Sequence, residues 1–352
     1  MKITLKRFLL AVVTFAVIGL ALLVSGVFPI KASSGHWPIT AWFLDYASDR
    51  SVAFHSQGID VPVLDDPELV VLGASIYQSN CQFCHGQPGQ SQPPVARAMT
   101  PTPPQLSRSV AEIQDQELFY IIKHGIKFAG MPAWPTQPRD DGVWPVVAFV
   151  RAIPSMDNES YRSLVNPPAD EQWTLVAEAC SSCHGMNGED SLAGYVPILA
   201  GQSEAHLRES LIAYRNGDRH SGIMMPIAHR LTDTEIVDLA TYFAEKAPAI
   251  PDPSVTTDAD LIADGQLLAE FGDRQRKIPS CVDCHGPDNP QRNDDYPRLA
   301  GQPAWYIERH LELFSKRNRG GSLNATLMHP IADKLKQEDR RALAAYYASI
   351  AP

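Results

Sequence analysis

The sequence predicts an all-α chain: one apolar helix at the N-terminus and three small helical modules in tandem behind it. Three observations predict this. Landmark segments recur in the same order along the chain. Apolar residues between the landmarks keep helical rather than alternating spacing, and Pro-rich polar stretches separate the periodic segments. The repeat is the strongest of the three, because a missed period misassigns a whole fold. Cys180-Ser-Ser-Cys183-His184 and Cys281-Val-Asp-Cys284-His285 begin 101 residues apart. Downstream, Pro197-Ile-Leu-Ala-Gly-Gln202 returns as Pro297-Arg-Leu-Ala-Gly-Gln302, and Met224-Met-Pro-Ile-Ala228 as Met328-His-Pro-Ile-Ala332. Leu239-Ala-Thr-Tyr-Phe-Ala244 then returns as Leu343-Ala-Ala-Tyr-Tyr-Ala348.

Taken in order, Lys2, Lys6 and Arg7 precede residues 8–30, which carry no charge. That length suits a spanning helix, which needs about 20 apolar residues. A cleaved signal peptide is the alternative; its apolar region runs about 7–15 residues to a small-residue cleavage site, for which Val24-Ser25-Gly26 is a weak candidate. The expectation is a single-pass anchor over residues 1–35, with its positive end in the cytoplasm and the rest of the chain on the outer, periplasmic side. Residues 36–65 form a linker or strap rich in aromatics, with Trp37, Trp42, Phe43 and Tyr46. These suit either an interfacial belt beside the anchor or a strap packed on the first module.

The modules are placed at 66–155, 168–248 and 256–352, with linkers at 154–169 and 246–257. The first is a more distant copy: Cys81-Gln-Phe-Cys84-His85, then Pro104-Gln-Leu106, then Gly130-Met131-Pro132, then an apolar segment over 143–153. In the second, a short helix is expected over 170–179 with Asp170 as its N-cap, and another over 204–214. Thr232-Asp-Thr-Glu235 is a capping box opening a last helix through Ile236, Leu239, Ala240 and Phe243. The last helix of the third module starts near Gln337.

The chain has 352 residues and a formal charge of −10, with 29 Pro. The negative charge disfavours nucleic-acid binding, which needs clustered Lys and Arg; an acidic surface suits a basic partner. All six cysteines fall in the Cys-x-x-Cys-His pattern, so none is left for a structural disulfide. That pattern reads as covalent haem attachment. Two Cys at i and i+3 share one face of a helical turn, so both thiols can bond one porphyrin while the adjacent His reaches the iron. Zinc would need four ligands per site, and a thioredoxin-like pair needs a βαβ context; neither fits three such units.

Haem iron of this kind takes a Met opposite the His. His85 and Met131 are 46 residues apart, His184 and Met224 40, His285 and Met328 43. Met225 competes with Met224, and the repeat selects Met224; His329 adjoins Met328 as an alternative ligand. Met99 and Met156 read as core or surface residues. Pro104, Pro197 and Pro297 are candidates to accept the proximal Nδ1–H and fix its tautomer. Arg219 and Arg319 suit haem propionates or plain solvation. His124, His206, His220, His229 and His310 read as surface or helix-face residues.

With these residues in hand, modules two and three resemble the two halves of a cytochrome c4-type diheme protein. The resemblance rests on Cys180–His184-Gly185, Pro197–Gln202, Tyr214, Arg219, Met224–Ala228 and Tyr242-Phe243, with their third-module equivalents. Module one resembles a general class I cytochrome c domain, through Cys81–His85-Gly86 and Gly125-Ile-Lys-Phe-Ala-Gly-Met131-Pro-Ala-Trp134. The resemblance implies three class I cytochrome c domains, each wrapped around one covalent haem c, and a role in electron transfer rather than catalysis. Module three departs from the pattern through an insertion over 272–279 and Gly-Pro-Asp-Asn after His285. The expected partners are a periplasmic dehydrogenase or quinol-oxidising complex as donor and another cytochrome or a terminal oxidase as acceptor. Two alternatives stand beside the free carrier: a cytochrome subunit fixed in a respiratory or dehydrogenase complex, and a multihaem peroxidase using a displaceable ligand at the third haem.

Overall fold

The computed structural model describes residues 4–27, 31–165, 176, 180–189, 194–248, 258–286, 293–322 and 324–351. Among these the chain is helical, with no strand; the only β-pairings are the isolated bridges Ile126–Met131 and Asp273–Ile278. Of the helix expected over 170–179 only Val176 is among the described residues; it is helical and buried in the core of module two.

The apolar N-terminal segment forms the helix Leu5–Val24, with mean hydropathy 2.5 and no residue buried against the rest of the chain. At 1.5 Å per residue its length is about 30 Å, the thickness of a hydrocarbon core. The aromatic segment forms a second helix, Pro38–His55. Its half-buried positions Ala41, Leu44, Ser48 and Val52 follow a helical period and face module one. His55 stacks on Tyr120 there, with ring centroids 5.8 Å apart. Ile39, Trp42, Phe43 and Tyr46 are exposed. By the helical period they fall on the opposite side, so one face is the strap packed on module one and the other is left exposed.

In module one, Asp66 caps the helix Pro67–Asn80 by accepting the Glu68 N–H at 2.9 Å, with Pro67 at its first position. This helix crosses Val143–Ala152 at Gly73, where a Cβ would overlap the Pro145 carbonyl. Tyr77, Phe149 and Tyr161 fill the joint, all fully buried. The stretch 154–169, expected as a linker, instead contains the helix Asn158–Val165. Tyr161 and Val165 from it are buried in the core of module one, because the spacing of these two residues gives the segment an apolar face that Pro154 and Pro167 do not interrupt.

Module two packs Glu204–Asn216 against Asp233–Ala244. Thr232 and Glu235 form the expected reciprocal cap. Module three repeats the joint of module one: Ala259–Phe271 crosses Gln337–Ser349 at Gly265, where a Cβ would overlap the Ala342 carbonyl. Its insertion is a closed excursion. The chain leaves the helix at Gly272, pairs Asp273 with Ile278, and returns so that Ala269 O accepts the Cys281 N–H at 2.8 Å and the Ser280 hydroxyl at 3.2 Å. Arg276 clasps it to the last helix through Asp339, at 2.5 and 3.0 Å.

Candidate functional site

Each Cys-x-x-Cys-His unit forms one helical turn: Gln82–His85, Ser181–His184 and Val282–His285. The backbone N–H of each His donates to the carbonyl of the first Cys, at 3.0, 2.9 and 2.9 Å, so both thiols sit on one side of the turn. The three imidazoles have one arrangement. His85 Nδ1 lies 3.2 Å from Pro104 O, His184 Nδ1 2.9 Å from Pro197 O, and His285 Nδ1 3.0 Å from Pro297 O. A carbonyl only accepts, so Nδ1 carries the proton and the Nε2 lone pair is left for a metal. Burial pushes His85 and His184 below the ordinary histidine range, against the opposing pull of that carbonyl, and so favours the neutral, ligating form.

Burial also pushes the thiols of Cys81 and Cys180 up to about 12 and that of Cys281 up to about 11. Such thiols are poor thiolates, unlike those of a redox pair. No group of three His, Cys, Asp or Glu side chains among the described residues is placed to hold a metal ion.

Modules two and three share one cavity of about 1370 Å³. Cys180, Cys183, His184 and Met224 line it, and so do Cys281, Cys284, His285 and Met328. The two competing ligands are turned elsewhere. Met225 is directed toward Gly217. His329 donates from Nε2 to Arg319 O at 2.7 Å and packs beside the Phe314 ring. Cys81, Cys84, His85 and Met131 lie apart on module one; Met131 O accepts the Ile126 N–H at 3.2 Å, and Met99 lies against Gly130. Met156 packs on the core of module one.

The residues present fit a haem. Where modules two and three meet, buried donors converge: Arg219, Arg319 and His310 are 4%, 9% and 7% exposed. Arg219 donates to Ser210 Oγ at 2.8 Å and to the Tyr306 hydroxyl at 3.1 Å, and lies 4.5 Å over the Tyr214 ring. Arg319 Nε donates to His310 Nδ1 at 3.2 Å. Yet Arg219 Nε, Arg309 Nε and His310 Nε2 have no partner among the described residues. Buried donors without acceptors are costly, and carboxylates such as haem propionates would satisfy them. The solvated reading of Arg219 and Arg319 therefore falls. So does the surface reading of His206 and His310: both line the cavity, and burial together with the neighbouring arginines pushes His206 down to about 3 and His310 well below the usual histidine range. The repeat held a signal for the arginines, each being 17 residues past its Gln, Gln202 or Gln302.

Residues 173–245 and 263–351 match the family model for cytochrome c, and residues 69–150 match that for the cbb3-type cytochrome c oxidase subunit III. A thiosulfate dehydrogenase electron acceptor of Thiomonas intermedia is 32% identical over 184 residues, covering 51% of this chain and 84% of that protein. The chain belongs to the cytochrome c family. The cytochrome c4 of Pseudomonas aeruginosa is 31% identical over 171 residues, 48% of this cytochrome and 83% of that one. A reduced recombinant cytochrome c4 from Pseudomonas stutzeri has been solved; it shares 31% identity with a TM-score of 0.45, covering 50% of this chain and 94% of that one. The cytochrome thus holds cytochrome c domains in tandem, with a c4-like portion, behind an apolar N-terminal helix. Its cytochrome c domains imply covalent haem c, and it is an electron carrier rather than an enzyme.

Proposed function

We propose that this cytochrome carries three haems on the outer face of the cytoplasmic membrane and relays electrons from a dehydrogenase or quinol-oxidising complex to a further cytochrome or terminal oxidase. In this reading Cys81 and Cys84, Cys180 and Cys183, and Cys281 and Cys284 bond the porphyrins. His85 with Met131, His184 with Met224, and His285 with Met328 are the axial pairs. The observation that carries it is the shared cavity: two complete Cys, Cys, His and Met sets line one space, with an imidazole oriented by a Pro carbonyl in each. Haem supplies a one-electron iron couple when bound. The chain's part is to attach it, to orient the imidazole through a Pro carbonyl, and to close the sixth position with a thioether so that no open site is left for substrate. That closure disfavours the peroxidase alternative. Relatives named as electron acceptors of thiosulfate dehydrogenase make an oxidoreductase of that kind the first donor to test.

Membrane attachment is supported by the helix Leu5–Val24 and by the exposed Trp42, Phe43 and Tyr46, since Trp and Tyr settle at a lipid interface. The mass of the intact holoprotein tests the haem count, with three adducts expected. Resting-state spectra should show only low-spin, six-coordinate iron; two adducts, or a high-spin haem, would overturn the reading. Deleting residues 1–35 behind a cleavable export signal should release the protein from the membrane fraction.

A further inference from the structure

Module one reaches beyond its own centre. Its residues Arg139 and Asp141 line the cavity that modules two and three share. Arg139 is 9% exposed and forks onto Asp141, with Nε to Oδ1 at 3.0 Å and Nη2 to Oδ2 at 3.2 Å, while Nη1 donates to His220 O at 3.1 Å. The segment is held from both sides. Trp134 Nε1 donates to Arg139 O at 3.2 Å, and Asn318 of module three donates to Pro138 O at 2.9 Å. Arg309, also of module three, stands 3.8 Å from Asp141 Oδ1.

Arg139 thereby joins the arginines already described. It lines the same cavity as Tyr214, whose ring Arg219 covers, and Tyr306, which Arg219 contacts. Arg139, Arg219 and Arg319 are thus three buried cations lining one cavity. Burial and the neighbouring Arg219 push the Arg319 guanidinium down to about 9, as expected for excess positive charge. Burying a charge without a partner is expensive, so the junction calls for more anions than Asp141 provides.

We infer that Arg139 is a third arm of a carboxylate-binding junction, holding with Arg219 and Arg319 the propionates of the haems of modules two and three. Asp141 offsets part of its charge. Reduction removes one positive charge from an iron, so a nearby cation favours the reduced form and a nearby anion the oxidised form. Arg139 therefore raises, and Asp141 lowers, the potentials of haems that module one does not attach. The matches to cytochrome c4 relatives cover about half of this chain, and Arg139 lies in the segment matched to the other family model. The Arg139 arm of the junction is accordingly an addition made by module one.

The inference rests on the three-haem reading, so the haem content of each variant is counted first; a count other than three in the parent protein defeats that reading. Redox titration of the full-length holoprotein then gives three midpoint potentials. R139Q should shift the reduction equilibrium of at least one haem at least tenfold toward the oxidised form, about 59 mV for a one-electron couple. D141N should shift the same haem toward the reduced form, and R139K, which keeps the charge, should stay near the parent value. Opposite shifts are the signature of charge, since general loosening would move both variants the same way. With three haems present, shifts of one sign in R139Q and D141N, or no shift in either, overturn the inference.

Discussion

The interface of modules one and two and that of modules two and three are built from different material. Modules two and three meet through a reciprocal pair of amides. Gln202 Nε2 donates to Arg298 O at 2.8 Å and its Oε1 accepts the Arg298 N–H at 2.9 Å. Gln302 does the same to Ile198, at 2.8 and 3.1 Å. Modules one and two meet through apolar packing. Trp134 lies flush on Gly222, where any Cβ would overlap the indole, and Tyr195, Val196, Cys183 and Ile223 pack on the core of module one. The difference follows from the repeat. Two copies of one module can bury the same residue twice about a pseudo-twofold axis, so a polar group on each finds its complement on the other. A module of another subtype has no such complement, so non-directional apolar contact does most of the joining, with isolated hydrogen bonds such as Arg139 to His220 O beside it.

Trp134→Ala should have the largest effect. Trp134 is 6% exposed, and removing a buried Trp costs about 3–5 kcal/mol. Denaturant melts should show modules one and two separating first, with the joint of modules two and three intact. If that joint fails first, the contrast between the interfaces is wrong.

Gln202→Ala should cost less, about 2 kcal/mol, because it leaves the Arg298 N–H and C=O unpaired at a site that water partly reaches. Gln302→Ala should match it within a few tenths of a kcal/mol, since the pair is symmetric. Unequal costs, read from the same melts, would mean that the pseudo-symmetry is geometric but not energetic.

The contrast also shows what the sequence could reveal. Cys-x-x-Cys-His, the Met-x-Pro-Ile-Ala repeat and the role of the Pro carbonyls are local or periodic, and the positions of Pro197 and Pro297 beside their imidazoles follow directly. The repeated Gln was visible, but its purpose was not, because its partner lies about a hundred positions away. Gly73 and Gly265 look like weak points in a helix on propensity alone; only the crossing shows that each admits another helix's carbonyl. Arg139 stands in a polar turn and becomes legible only once the fold carries it to Tyr214 and Tyr306. Tyr161 was hidden by prolines that suggested a linker.

Acid should act on one side of module one more than the other. Burial raises the Asp141 carboxyl, but Arg139 and then Arg309 outweigh it, so its folded pKa lies below the ordinary value. A carboxyl depressed in this way contributes stability that is complete above its unfolded pKa, near ~3.9, and is lost as the pH falls through the folded value. Below about pH 4 the contact of residues 138–141 with modules two and three should loosen, while the uncharged Trp134–Gly222 packing persists. Limited proteolysis with an acid protease would read this as cleavage near residue 140 ahead of cleavage near 222. The reverse order would place the acid-sensitive contact elsewhere.

Tyr195→Phe should have the smallest effect. The Tyr195 hydroxyl donates to Asp66 Oδ2 at 2.7 Å across the joint of modules one and two. Its ring packs edge-on to Trp305 at 4.9 Å and contributes to the apolar cluster. Phe keeps the ring and loses only the hydrogen bond, and Asp66 is exposed enough for water to replace it. The cost should be about 1 kcal/mol or less, well below that of Gln202→Ala, although both substitutions remove polar contacts between modules. What separates them is whether packing holds the joint without the hydrogen bond. Equal costs for the two would show that the joint between modules one and two also depends on its polar contacts.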